Sequence, residues 1–108
     1  MMNWIRLTES SDFFLKRGAL LRFAAGKPFE SRVVMMVCEA PGETGRLGLI
    51  TVSGYKAGIN CYVVFPEQPN SDCISNQWLI DNWQLWVWPG GDVNEVEVRD
   101  SLDESEIA

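Results

Sequence analysis

The sequence predicts an α+β domain: a mostly antiparallel sheet of about six strands with one helix, in the C-terminal half, packed on it. Three observations lead there. Short apolar or alternating segments recur between Gly- and Pro-containing breaks as far as residue 65. Residues 74–87 are the one stretch whose polar side chains gather at helical spacing. A last alternating segment, 93–98, follows Pro89-Gly90-Gly91. With 108 residues the chain suits one domain, over 1–100, followed by an acidic, flexible tail over 101–108.

In residues 3–8, Ile5 and Leu7 alternate with Trp4, Arg6 and Thr8, which suits a first strand buried on one face. Residues 8–12 are a polar turn. Residues 18–25 form a second strand with Leu21 and Phe23 on one side, and Gly26-Lys27-Pro28 ends it, because proline donates no ladder hydrogen bond. The run Val33-Val34-Met35-Met36-Val37-Cys38 is apolar on both faces and predicts a central strand covered on two sides; periodicity alone would also allow a short buried helix. A turn at 41–45 returns the chain through a strand at 47–52. The glycine-bounded connection Ser53-Gly54-Tyr55-Lys56-Ala57-Gly58 leads into a strand at 59–65, closed by Pro66.

Ser71 or Asp72 is placed to cap the helix. Along 74–87, Gln77, Asp81 and Gln84 form a narrow polar stripe and apolar side chains cover the rest. Trp78, Leu79 and Trp83 are expected mainly on the sheet side. So broad an apolar face means either enclosure by loops as well as sheet, or an aromatic flank, Trp86 included, that meets a partner.

Charge is unevenly placed. The net −6 arises beyond residue 91, where Asp92, Glu95, Glu97, Asp100, Asp103, Glu104 and Glu106 face one base, Arg99. Such an end repels nucleic acid and attracts a basic protein surface. In the last strand Val96 and Val98 face inward, so Glu95 and Glu97 are expected to share a solvent face. Asp92, Glu95, Glu97 and Asp100, together with Tyr55, Lys56 and Trp86, are the candidate partner-binding residues.

No enzyme is expected. The chain has no histidine, the commonest general base, and lacks GxGxxG, GxxxxGK[ST] and GxSxG. Cys38, Cys61 and Cys73 are odd in number and contain no CxxC pair, so reduced, partly buried thiols are expected rather than disulfides or zinc. No metal or cofactor is called for. The N-terminus lacks secretory features and the longest apolar run, 33–38, is far shorter than the roughly 20 residues that span a bilayer. A cytoplasmic protein without membrane contact is expected.

Ser53-Gly54-Tyr55-Lys56-Ala57-Gly58, with Arg17-Gly18, Phe23, Pro28-Phe29-Glu30, Val63-Val64-Phe65-Pro66-Glu67 and the late Trp78-Leu79, Asn82-Trp83 and Trp86, resembles the immunity protein 45 family of bacterial polymorphic toxin systems. The resemblance spans roughly residues 3–98. It implies a mostly β domain that binds and neutralises a cognate toxin, as in bacterial competition through type VI secretion, and it brings no catalytic residues. With no signal in the chain, the toxin is expected to act in the cytosol, and the acidic end favours a nuclease with a basic substrate groove. A second reading is a non-inhibitory adaptor or chaperone for a secreted effector.

Overall fold

The computed structural model describes residues 4–100 apart from Lys27, Pro28, Glu30, Pro41, Glu43, Thr44, Asn60, Asn70 and Ser71. The acidic tail expected at 101–108 lies outside the described residues. Strands β1 (Ile5–Arg6), β2 (Phe14–Lys16), β3 (Leu20–Ala24), β4 (Arg32–Glu39), β5 (Leu47–Thr51), β6 (Cys61–Val64) and β7 (Cys73–Ser75) precede the helix α1 (Asn76–Trp86), and β8 (Glu97–Arg99) follows it. Six strands form an antiparallel sheet in the order β1-β8-β3-β4-β5-β6, and β2 pairs with β7 in a small second sheet. The α+β class and the C-terminal-half helix are as the sequence predicts.

Why the helix lies where it does follows from the alternation. Val33, Met35 and Val37 of β4, Leu21 and Phe23 of β3 and Leu49 of β5 are buried in one cluster with Leu79, Trp83 and Val87 from α1 and the residue after it. Period-2 side chains on the strands therefore meet an apolar helix flank. Phe23 and Trp83 pack edge to face with centroids 5.0 Å apart, and Phe65 meets Trp78 at 5.6 Å. The other face of the sheet differs from expectation. Val34, Met36 and Cys38 are only half-buried, so β4 is a central strand fully covered on one side.

Several boundaries move. The expected strand at 3–8 keeps only two residues, because a 3-10 turn begins at Leu7 and Ser10 Oγ donates to the carbonyls of Leu7 and Arg6. The helix is capped by Ser75, whose hydroxyl accepts from Trp78 N–H at 3.2 Å, and not by Asp72; Ser71 lies outside the described residues. Residues 73–75 are extended because they pair with β2. At the other end, the N–H groups of Val87 and Trp88 both donate to Trp83 O, and Pro89 follows in the sequence. Asp92 accepts from Asn94 N–H and starts a 3-10 turn over Val93–Glu95, which shortens the expected last strand. All three cysteines are free thiols.

Candidate partner-binding surfaces

The acids singled out in the sequence do not share one face. Asp92 and Glu95 are exposed around the 3-10 turn, and Asp100 is exposed at the end of β8. Glu97 is not a solvent carboxylate beside Glu95. It is half-buried on the outer face of the sheet, where one of its oxygens accepts from Arg22 Nε and Arg32 Nη2, each at 2.8 Å. The register pairs Arg22 directly with Glu97 across β3 and β8, which brings the charges together.

The hydrogen bond from Arg22, reinforced by both positive charges, holds the Glu97 carboxyl below the usual carboxylate range despite burial. A depressed folded pKa stabilises the protein above the ordinary carboxylate range, and that contribution is lost as pH falls through the folded value. Glu97→Ala should lower stability by about 1–2 kcal/mol at neutral pH, between exposed and buried pairs. The gap to wild type should close on acidification. Urea melts at several pH values check both statements.

Trp4 lies against this cluster, 4.3 Å from the Arg22 guanidinium and 5.4 Å from that of Arg99. Beyond it the outer face turns apolar through Leu20, Val34 and Met36, which line a shallow groove of about 360 Å³. Further along, Cys38 on β4 and Cys61 on β6 bring their sulfurs within 3.6 Å of each other, and the Cys61 sulfur lies over Gly48 on the intervening strand. Burial and the neighbouring thiol push Cys38 up to about 12, so it stays protonated at neutral pH. Their backbones stand two strand spacings apart, roughly 9 Å, too far for a disulfide without backbone movement.

Tyr55 and Lys56 sit in the β5–β6 connection, framed by Gly54 and Gly58 with φ of 71° and 78°. Tyr55 is 66 % exposed, and Lys56 Nζ lies 5.8 Å from its ring centroid. Strands β3 and β4 lie between β8 and β5, and the registers set this loop and the start of β8 at one end of the sheet and Asp100 at the other. Trp86 is half-buried against Trp78, with centroids 5.9 Å apart; the exposed apolar side chain of the helix is instead Leu85.

Sequence reasoning did not single out Phe13 and Phe14. Both are exposed, and with Ile5 they line a groove of about 420 Å³ beside Asn76 and the end of β8. Two aromatics in a row beside a predicted polar turn carried the only signal. Among the described residues no three His, Cys, Asp or Glu side chains gather to hold a metal, and no helix is long and apolar enough to cross a membrane.

The fold is thus a half-covered antiparallel sheet that offers grooves and charged rims. Residues 7–98 match the family model described as Immunity protein 45, and the chain belongs to that family. No curated protein and no solved structure matches it.

Proposed function

We propose that the chain neutralises a cognate toxin by binding it, as its membership of an immunity-protein family across residues 7–98 implies, and that the toxin is a nuclease acting in the cytosol. Family membership carries the first part. The second rests on charge: the net −6 of the chain arises beyond residue 91, and Asp92, Glu95 and Asp100 stand exposed there. A nuclease must hold polyanionic substrate on a basic surface, which an acidic inhibitor complements and finds quickly through long-range attraction. Occupying that surface excludes substrate without any chemistry by the inhibitor, in keeping with a chain that has no histidine.

Co-expression with the toxin encoded beside this gene tests the reading. Wild type should rescue growth against that toxin and against no unrelated one. Death despite soluble wild-type protein would end the immunity reading. Asp92→Asn with Glu95→Lys retains the turn's capping acceptor while shifting charge by three units. It should slow association with the toxin about tenfold at low salt and flatten the salt dependence. Equal rates would remove the charge-steered nuclease while leaving immunity intact.

A further inference from the structure

We propose that the groove between β1, β2 and the end of β8 is the toxin's docking site, and that it takes a toxin segment in which an aromatic or aliphatic side chain stands beside an arginine or lysine. The proposal rests on the immunity reading above and names the surface that reading leaves open.

Three observations converge on this groove. The first is apolar exposure. Ile5, Phe13 and Phe14 are 43 %, 57 % and 52 % exposed, and all three line the same space of about 420 Å³. Scattered exposed hydrophobics are ordinary, but a cluster of large ones around a concavity marks a contact surface. The neighbouring Leu15 and Val98 are fully buried, so the apolar floor of the groove runs into the core. With Phe14 on β2 and Phe13 immediately before it, its carbonyl accepting from Asn76 N–H, the two rings offer area that an incoming side chain can cover at little entropic cost.

The second is an incomplete hydrogen-bond set. Asn76, the first residue of α1, is 1 % exposed and belongs to the groove wall. Its Nδ2 donates to both the backbone oxygen and the hydroxyl of Ser10 at 3.0 Å, while its Oδ1 accepts from nothing. A buried acceptor without a donor is costly and rare in folded proteins. Because Oδ1 is itself buried, an occupant's N–H group reaches it only where the groove wall at Asn76 opens.

The third is charge. The groove's two charged residues are Arg99 and Asp100. Arg99 is 7 % exposed and turns its guanidinium to the Trp4 ring, 5.4 Å away, so Asp100 supplies the exposed charge at the rim. Exposed Asp12 precedes Phe13 in the chain. A guanidinium or ammonium group carries donors only and is therefore matched to the exposed carboxylates of Asp100 and Asp12.

The test is the affinity of the full chain for the purified, catalytically inactivated toxin domain encoded beside the gene. Phe13→Ala with Phe14→Ala should weaken binding at least about thirtyfold, as expected for an interface centre, with the thermal melt retained because both side chains are half-exposed. Should the double variant lose its cooperative melt, Phe13→Arg alone sets a cation against the cationic segment and should produce the same loss. Wild type that does not bind the toxin overturns the immunity reading itself. Wild type that binds, with folded variants binding equally well, overturns the groove alone. Light scattering adds one more arm: a wild-type dimer that Phe13→Arg dissociates in the absence of toxin would assign the groove to a second copy of this chain and refute the proposal.

Discussion

Trp83→Ala should abolish or severely lower the cooperative melt. The side chain is 1 % exposed, packs edge to face on Phe23 5.0 Å away, and stands in the cluster that joins α1 to the sheet. Truncating a core tryptophan costs about 3–5 kcal/mol, a large share of the roughly 5–15 kcal/mol that keeps a domain folded. At about 4 °C per kcal/mol, the melting point should fall by at least ~12 °C. Trp83→Phe should cost less than half as much, for two reasons. It keeps a ring against Phe23, and it removes the indole N–H, which has no hydrogen-bond acceptor in its buried site. Thermal melts of the two variants decide the matter. An unchanged melt for Trp83→Ala together with lost toxin binding would show that Trp83 belongs to an interface and not to the core.

Local pattern and distant pairing explain which elements were legible in the sequence. The β4 run and the alternations of β3 and β5 announce themselves, since each needs only its own side chains to define a face. The small sheet does not. Phe14-Leu15-Lys16 is too short to show a period, and Cys73-Ile74-Ser75 reads as the first turn of the helix until pairing with β2 holds it extended. That pairing also moves the cap to Ser75, although Ser71 and Asp72 have suitable side chains. The 3-10 turn after Asp92 has a local cause, the Asp92 carboxylate accepting from Asn94 N–H. Alternating Val96 and Val98 concealed it.

Surface chemistry was legible only where it depends on the chain's own charge. Exposure of Asp92, Glu95 and Asp100 follows from composition. The pairing of Glu97 does not, because Arg22 and Arg32 lie 75 and 65 residues away and meet it only through the strand order. Asn76 is similar: its partner Ser10 is 66 residues distant, and nothing in the sequence forecasts an acceptor left over. The Phe13–Phe14 groove exists because two sheets end beside each other, which is a property of topology.

Gly48→Ala should destabilise the protein, although the same change in an ordinary strand interior stabilises it by about 0.5–1 kcal/mol. The sign is therefore the test. Gly48 lies between Cys38 on β4 and Val64 on β6. A Cβ there would overlap the Val63 carbonyl oxygen and come within 2.8 Å of Cys61 Sγ. The Cys61 thiol occupies the space that the missing side chain leaves, where it also reaches the carbonyls of Leu49 and Val63. Relief requires β6 to move outward from β5. That strand is the edge of the sheet, but it is not loose, because Tyr62 donates its hydroxyl hydrogen bond to Val87 O at the end of α1. Moving it strains the packing of Phe29 on Tyr62, whose rings are 5.4 Å apart. Overpacking of this kind costs about 1–3 kcal/mol. Adding Cys61→Ala removes the sulfur contact and leaves the carbonyl clash, so the double variant should recover only part of the loss in a urea melt. Full recovery would show that the thiol alone sets the spacing, whereas a Gly48→Ala protein as stable as wild type would show that β6 shifts freely and that the glycine is not required.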